Sequence, residues 1–210
     1  SYSLKSHARA SESWFNGWTS REITPVGGLS RDEGVRDNSS LEALSKLKPV
    51  FMQDGIVTAG NSSQVSDGAA ALLICSKEAA EDNGWPVLAR IVDFETSGVE
   101  PSRVMSAPIP CIEALLSRAE LSAEDIDLYE HNEAFASASC GIKSHFDIPE
   151  RKFNIQGGAI AIGHPLGASG ARCLMSLVSS LQRTDGALGI VTLCLGCLLY
   201  TSPSPRDHEQ

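Results

Sequence analysis

The stretch from residue 154 to residue 172, NIQGGAIAIGHPLGASGAR, combines many glycines and alanines with one histidine, His164. Glycine frees the backbone at a cost in chain entropy, so such a cluster predicts a close approach to a ligand, to another element or to a reacting atom. The flanking patterns predict a strand over residues 153–156 and a helix over residues 168–181. The stretch is therefore expected to be a strand-to-helix turn that presents His164.

Strand patterns alternate with helix patterns along the whole chain, which predicts an α/β fold with a sheet layered between helices. Helices are predicted over residues 1 to about 20 (ending near Gly17), 41–47, 108–121, 133–146 and 168–181, and strands over residues 60–76, 86–99, 126–130, 153–156 and 186–196. At 60–76 a polar turn leads into a near-continuous apolar run, which is typical of a strand buried on both faces. Residues 186–196 are expected to form a final buried strand. Asn38-Ser39-Ser40 is expected to cap the second helix.

Composition narrows the class of protein. The 210 residues are 42% hydrophobic and 20% charged, as in an ordinary globular protein of one or two domains. The net charge of -9 argues against a nucleic-acid or anionic-membrane partner, and the chain has no apolar run long enough to span a membrane. The six cysteines are scattered, which favours reduced thiols and a cytoplasmic location. The chain starts with a helical pattern, so a preceding segment is expected.

The glycine-rich stretch has two simpler interpretations. Gly158 and Gly163 match half of a phosphate-binding loop, but His164-Pro165 stands where Lys-Ser/Thr is needed, which argues against nucleotide hydrolysis. The second interpretation is a structural histidine in a tight turn. Pro165 is expected in the first helical turn, and the helix N-terminus would place N–H groups and partial positive charge near His164. These features favour a catalytic imidazole.

Four segments resemble motifs of the thiolase family and occur in the family's order. They are VTAGNSSQVSDGAAA (57–71), HNEAFA (131–136), NIQGGAIAIGHPLGASGAR (154–172) and TLCLG (192–196). The resemblance covers roughly residues 2–196 and implies the layered α/β/α thiolase fold, in an incomplete form. It is more specific than any single motif because several independent motifs agree.

The resemblance also implies a division into domains. Residues 1–65 would be the C-terminal part of the loop domain, residues 66–84 the last strand region of the N-terminal core domain, and residues 85–196 the C-terminal domain. Residues 197–210, CLLYTSPSPRDHEQ, depart from the family and resemble a translated sequencing adapter, so a non-native tail is expected; the alternative is a genuine proline-rich tail. No metal is expected, because the C-x-x-C spacing of Cys194 has no second cysteine pair.

Catalytic roles follow from the resemblance. His164 would activate a nucleophilic cysteine and donate to the thioester oxygen, and Asn132 would hold a water in the same oxyanion hole. Cys194 would be the acid and base for the α proton, and the backbone N–H of Gly196 would serve the other oxyanion hole. Two alternatives stay open: Asn132 as a helix N-cap and Cys194 as a buried core thiol.

Substrate contacts are also implied by the resemblance. Ser63 would lie beside the pantetheine arm of coenzyme A, Met105 and Phe135 would form apolar walls, and Arg36 would approach the adenosine end. The family usually has Met-Gly-x-Gly-Pro where this chain has Met105-Ser106-Ala107-Pro108. The local backbone is expected to differ there, since this segment is one residue shorter and lacks glycine.

The implied function is that of an acyl-CoA C-acyltransferase fragment, which joins or cleaves 3-ketoacyl-CoA by Claisen chemistry. Asn132 favours the acetoacetyl-CoA or 3-ketoacyl-CoA branch, with acetyl-CoA C-acetyltransferase the leading expectation. Coenzyme A would be a substrate, no separate cofactor is expected, and the parent would be a homodimer or homotetramer. The family's nucleophilic cysteine lies upstream and Cys75 lacks its pattern, so the fragment is predicted to be inactive. The alternative is a non-catalytic module that binds coenzyme A or a protein partner.

Overall fold

Two parallel strands form the centre of the computed structural model, which describes residues 1–194. Strand β1 (Leu128–His131) pairs with strand β2 (Gly189–Thr192), and Tyr129 lies opposite Ile190. All four residues of β1 are buried. Parallel neighbours require a crossover connection, and the chain between the two strands supplies it with helices and the histidine-bearing turn.

The described part of the chain contains seven α-helices and three short 3₁₀ helices. The α-helices are α1 (Tyr2–Phe15), α2 (Leu41–Ser45), α3 (Lys77–Asn83), α4 (Pro108–Ala119), α5 (Ala136–His145), α6 (Ala159–Ile162) and α7 (Ser169–Thr184), and the 3₁₀ helices are Pro101–Ser106, Ala123–Asp125 and Glu150–Lys152. Helices α1, α2, α4, α5 and α7 confirm the five predicted helices. The predicted cap is confirmed as well, since Ser40 Oγ accepts the Ala43 N–H at 3.1 Å.

Helices cover both faces of the strand pair. On one face Tyr129 and Ile190 pack with Ile112 of α4 and Ile142 of α5. On the other face α7 packs on both strands, and a Cβ on Gly189 would lie 2.7 Å from a methyl carbon of Leu177. Burying each large apolar side chain contributes about 1.5–3 kcal/mol. The predicted α/β/α layering is therefore confirmed. The strand prediction for 126–130 is confirmed by β1, and that for 186–196 is confirmed by β2 within the described residues.

Two predicted strands do not form. Residues 67–76 and 86–99 contain no strand, and their apolar side chains are open to solvent, with Leu73 75% and Phe94 81% exposed. A strand buried on both faces needs neighbouring strands for its backbone and covering layers for its side chains. Within residues 1–194 neither segment has them, so the prediction is wrong for this structure. In the first predicted strand, Ser62 forms a single bridge with Phe135.

The predicted strand at residues 153–156 is reduced to one bridge. Phe153 pairs with Tyr129 in parallel, but Asn154 has a φ of 44° and turns the chain away. Asparagine tolerates this left-handed conformation better than most residues. The Asn154 side chain then bonds β1 itself, accepting the His131 N–H at 2.7 Å and donating to the His131 carbonyl at 2.8 Å.

Several expectations concern the chain as a whole. Among residues 1–194, no helix has the length and apolar character needed to cross a bilayer, and no group of three or more His, Cys, Asp or Glu residues is placed to hold a metal ion. The cysteines of that part, Cys75, Cys111, Cys140, Cys173 and Cys194, are free thiols. Gly196 and the predicted non-native tail at 197–210 lie outside the described residues, so both expectations stay predictions.

Candidate active site

His164 lies in the turn that joins α6 to α7. Its backbone N–H donates to the carbonyl of Gln64 at 3.1 Å, which ties the turn to a distant segment of the chain. Helix α7 begins at Ser169, so Pro165 precedes the helix and is not in its first turn as predicted. The Pro165 carbonyl accepts the N–H of Ser169 at 3.0 Å. The turn is thus fixed at both ends, and its histidine is partly buried.

The glycines around His164 are explained by close approach of protein elements. A Cβ on Gly158 would lie 2.6 Å from the carboxyl carbon of Glu133. A Cβ on Gly163 would lie 2.1 Å from Ser66 Oγ, and the φ of Gly163 is 95°, a region that side chains disfavour. Small residues at these positions let the turn sit tightly against the segments that carry the other predicted site residues.

Asn132 is the first predicted catalytic residue that the fold brings to His164. It follows β1, is fully buried, and extends the pairing of the strands by donating its N–H to the Thr192 carbonyl at 3.0 Å. Its amide nitrogen Nδ2 lies 3.1 Å from His164 Nε2. The N-cap alternative for Asn132 is wrong, because α5 begins at Ala136 with Phe135 as its N-cap.

A buried ion pair stands behind the Asn132 amide. Arg172 of α7 donates through Nη2 to Asn132 Oδ1 at 3.1 Å and through Nη1 to Glu130 Oε1 at 2.9 Å. Burial raises the pKa of Glu130, and the guanidinium of Arg172 opposes that shift by favouring the carboxylate. The pair therefore places a fixed hydrogen-bond donor against the amide oxygen of Asn132.

Ser169 contacts the other side of the imidazole. Its Oγ lies 2.6 Å from His164 Nδ1 and 2.9 Å from the Pro165 carbonyl. Burial, together with the positive charge of Arg172, lowers the pKa of His164. The lowered pKa favours the neutral imidazole, and both of its nitrogens have neighbours.

Glu133 connects the N-terminal helix to the catalytic turn. Tyr2 Oη donates to Oε1 at 2.7 Å and Ser6 Oγ donates to Oε2 at 2.6 Å, both from α1. Asn154 Nδ2 donates to Oε1 at 3.0 Å and the Ile160 N–H donates to Oε2 at 3.2 Å. Four donors satisfy this fully buried carboxylate, which fixes the start of α6 and with it the approach of the chain to His164.

Cys194 lies just beyond β2 and is buried. Its Sγ lies 3.6 Å from the sulfur of Met105, which sits in the 3₁₀ helix Pro101–Ser106. Burial raises the pKa of the Cys194 thiol, so the thiol form is favoured at rest. The structure brings together the predicted acid–base cysteine and one predicted apolar wall, while the burial is also what the core-thiol alternative requires.

The remaining predicted substrate residues occupy two places. The N–H of Ser63 donates to the Ala134 carbonyl at 2.9 Å, which sets Ser63 beside the segment between Asn132 and Phe135. Arg36 lies on a separate loop, where its backbone N–H donates to His7 Nδ1 at 3.1 Å. Ser63 and Phe135 thus adjoin the Asn132 end of the site, whereas Arg36 adjoins helix α1 through His7.

Sequence reasoning gave no role to four residues that organise the site: Gln64, Glu133, Ser169 and Arg172. Glu133 and Arg172 are charged residues inside otherwise apolar motifs, and buried charges require partners, so this pattern was an available signal. Gln64 had none. Its Nε2 contacts the carbonyls of Gly34 at 2.8 Å and Ala161 at 2.9 Å, contacts that only the folded chain reveals.

Family models match both parts of the chain. The model described as "Thiolase, N-terminal domain" matches residues 1–78, and the model described as "Thiolase, C-terminal domain" matches residues 85–199, more than half of the chain. The second match includes the turn with His164, the segment with Asn132 and the end of β2. The chain belongs to the thiolase family.

Individual relatives agree with the family models. The chain is 40% identical over 204 residues to a probable acetyl-CoA acyltransferase of Staphylococcus aureus, covering 93% of this chain and 52% of the relative. It is 44% identical over 201 residues to cytosolic acetyl-CoA acetyltransferase of Rattus norvegicus, covering 91% and 51%. The structure of human mitochondrial 3-ketoacyl-CoA thiolase in complex with CoA matches with a TM-score of 0.89 at 41% identity, covering 93% and 50%. The chain therefore spans about half the length of these relatives.

Proposed function

We propose that this chain is part of an acyl-CoA C-acyltransferase that joins two acyl-CoA molecules, or cleaves 3-ketoacyl-CoA, by Claisen chemistry. The contact between the Asn132 amide and the His164 imidazole carries the proposal, because it places a polar pair at the end of the strands, as the family motifs imply. The names of the relatives favour acetyl-CoA C-acetyltransferase as the particular activity.

In this mechanism His164 is the central polar group. Its neutral form would accept the proton of the nucleophilic cysteine, and its charged form would donate to the thioester oxygen as negative charge develops. Asn132 would hold a water that supplies a second donor to the same oxygen. Cys194 would move the α proton, and the N–H of Gly196 would serve the second oxyanion hole.

The nucleophile is the component that we do not assign within this chain. Cys173 lies 4.0 Å from Asn132 Oδ1, but burial raises the pKa of its thiol to about 12, so it is a poor source of thiolate. Cys75 is exposed and lacks the sequence pattern that surrounds the family's nucleophilic cysteine. We propose that the 210-residue chain alone has no turnover.

Coenzyme A is proposed as a substrate rather than a bound cofactor, since thiolate, base and oxyanion donors can all come from the polypeptide. Two matched structures, those of human mitochondrial 3-ketoacyl-CoA thiolase and of Ascaris suum Acat5 thiolase, contain CoA. Ser63 and Phe135 would contact the pantetheine arm, Met105 the acyl end, and Arg36 the adenosine end. We further propose a homodimeric or homotetrameric parent enzyme located in the cytoplasm.

The proposal is tested by replacing the matching half of the Staphylococcus aureus relative with residues 1–196 of this chain, so that the hybrid keeps Gly196. We expect the hybrid to cleave acetoacetyl-CoA in the presence of coenzyme A, measured by loss of the 3-ketoacyl-CoA absorbance. H164A should lower kcat by about 10²–10⁴-fold, the range for a lost general acid–base group. H145A is the matched control, because His145 is an exposed histidine on α5 that contacts Glu113.

Three results would count against the proposal. A folded hybrid without turnover would remove the enzymatic assignment, and retained binding of coenzyme A by that hybrid would favour the non-catalytic module. Equal loss in H164A and H145A would show that the effect is not specific to the turn. Turnover by the 210-residue chain alone would contradict the proposed inactivity.

A further inference from the structure

A buried histidine of helix α1, His7, holds the loop that carries Arg36. The side chain of His7 is buried, with 7% of the residue exposed, and its Nδ1 accepts the backbone N–H of Arg36 at 3.1 Å. A backbone N–H can only donate, so Nδ1 must offer its lone pair. Both ring nitrogens of a protonated histidine are donors, and the contact therefore requires the neutral imidazole.

The loop that carries Arg36, residues 31–37, is also attached close to the catalytic turn, and we call these residues the Arg36 loop. Gln64 Nε2 donates to the Gly34 carbonyl at 2.8 Å. A Cβ on Gly34 would lie 2.6 Å from the Ala161 carbonyl oxygen, so the loop backbone rests directly on helix α6. The Arg36 loop is thus tied to α6 at Gly34 and to α1 at Arg36.

The bond to His7 acts on the residue that is proposed to meet the adenosine end of coenzyme A. Arg36 itself is exposed, while its backbone N–H is bonded to the buried histidine. A guanidinium can stack on an adenine ring or pair with phosphate. It loses less conformational freedom on binding when the backbone that carries it is already fixed. The contact with His7 is therefore expected to favour ligand binding by Arg36.

Three charged side chains influence His7 from two neighbouring segments. Arg36 and Asp37 belong to the Arg36 loop, and Glu133 belongs to the segment that follows β1. Burial lowers the pKa of His7, and the positive charge of Arg36 lowers it further. The carboxylates of Glu133 and Asp37 oppose this shift. The lowered pKa favours the neutral imidazole that the bond to Arg36 requires.

We propose that His7 is a positioning residue that holds the Arg36 loop on helix α1 only while its imidazole is neutral, so that acid weakens the binding of coenzyme A. When Nδ1 takes up a proton from water it becomes a donor, and it then faces the Arg36 N–H, which is also a donor. The bond is lost and the loop is released from α1. This inference rests on the proposed function for the identity of the ligand, whereas the contact between His7 and Arg36 does not.

The first test is the affinity of the 210-residue chain for coenzyme A, measured by isothermal titration calorimetry above pH 6.5, where an ordinary histidine is neutral. H7L removes the acceptor and should raise the Kd about fivefold, the effect of one hydrogen bond. Water can satisfy the N–H of the exposed Arg36 in this variant. H7Q should leave the Kd nearly unchanged, because the glutamine amide oxygen can accept the same N–H. H145L, at an exposed histidine of α5, is the matched control and should have no effect.

A double-mutant cycle tests whether the effect of His7 passes through Arg36. R36A should weaken the binding of coenzyme A by itself. H7L/R36A should then bind no more weakly than R36A, because no guanidinium is left for the loop to position. A general loss of structure in H7L would instead add to the effect of R36A. Circular dichroism checks that each variant keeps its helices.

The acid dependence is measured as the ratio of the Kd of the unaltered chain to the Kd of H7Q. Glutamine does not titrate, and the phosphates of coenzyme A, which do titrate in acid, affect both chains alike. We expect a ratio near one above pH 6.5. The ratio should rise to about fivefold as the pH falls through the lowered pKa of His7, within the range in which circular dichroism shows both chains folded.

Each contrary result overturns a defined part of the inference. An unchanged Kd in H7L, or equal losses from H7L with and without R36A, contradicts the positioning role. A ratio that stays flat in acid contradicts the dependence on the neutral imidazole. The hybrid with the Staphylococcus aureus relative is measured in the same way, and absence of coenzyme A binding by both proteins overturns the inference altogether. A hybrid without turnover whose Kd still rises in H7L would defeat the proposed enzymatic function and leave this inference intact.

Discussion

Residues 108–194 and residues 66–99 both contain strongly apolar segments, yet only the first region buries them. Ile112 and Phe153 are almost completely buried, whereas Ile91 and Phe94 are largely exposed. The difference lies in the neighbours that each segment finds. Helices α4, α5 and α7 cover the strand pair from both sides, while residues 86–99 have no covering layer within the described chain.

This contrast shows that an apolar run in the sequence does not by itself predict that its side chains are buried, because burial also requires neighbouring elements that cover them. Buried polar side chains likewise require neighbours, which must supply hydrogen-bond partners. Glu133 is buried and accepts four hydrogen bonds from three separate segments, whereas both ring nitrogens of the buried His131 have no hydrogen-bond partner in the described part of the chain. Three predicted catalytic residues, Asn132, His164 and Cys194, all lie within residues 108–194.

The largest expected effect is a difference in the free energy of unfolding when one phenylalanine in each region is replaced by alanine. Phe153→Ala should lower the free energy of unfolding by about 3–5 kcal/mol, because a fully buried aromatic ring leaves a cavity. Phe94→Ala should change it by less than about 0.5 kcal/mol, as for an exposed site. Urea unfolding followed by circular dichroism measures both. Equal losses would show that residues 86–99 are buried in solution and would end the comparison.

The second prediction concerns the loss of stability of the buried region at acidic pH. Burial lowers the pKa of His131 to about 4, below its value in an unfolded chain. Above pH 6.5 the histidine is neutral in both the folded and the unfolded chain, so it does not oppose folding. As the pH falls from 6.5 to 4, the unfolded chain binds a proton that the folded chain does not, and the free energy of unfolding should fall by about 3 kcal/mol. H131L should flatten this part of the stability curve, whereas H145Q, at an exposed histidine, should not. A steep loss retained in H131L would assign it to other groups.

The sequence predicted most elements of residues 108–194 correctly and the strands of residues 66–99 incorrectly. Strands β1 and β2 and helices α4, α5 and α7 were predictable because their patterns match the layers that cover them. The strand at residues 86–99 was not, because its pattern presumes neighbours that the described chain lacks. Asn132 and His164 were found through family motifs, but the Arg172 contact with Asn132 joins residues forty positions apart. No local pattern specifies such a contact, and only the packing of α7 on β1 creates it.

A third prediction compares two glycines. Gly163→Ala should destabilise the protein by about 1–3 kcal/mol, because the φ of 95° strains any side chain and the new Cβ would meet Ser66 Oγ. Gly98→Ala, where nothing lies within 4 Å of the added Cβ, should be neutral or slightly stabilising. The midpoints of urea unfolding give both values. A tolerated Gly163→Ala would mean that the turn before His164 is looser than the contacts indicate.

The smallest effect is expected at α3, the helix between the two exposed apolar segments. Ser76 Oγ accepts the Ala79 N–H at 3.2 Å, and Ala80 is the helix's one buried residue. Ser76→Ala removes the cap, which costs about 1 kcal/mol for the helix itself. Amide exchange in α3 should therefore become about fivefold faster while global unfolding is unchanged, because a segment with few buried contacts opens locally. Hydrogen-exchange mass spectrometry and urea unfolding together measure the two quantities. A matching fall in global stability would place α3 in the same cooperative unit as β1 and α7, and the boundary between the two regions would then lie before residue 77.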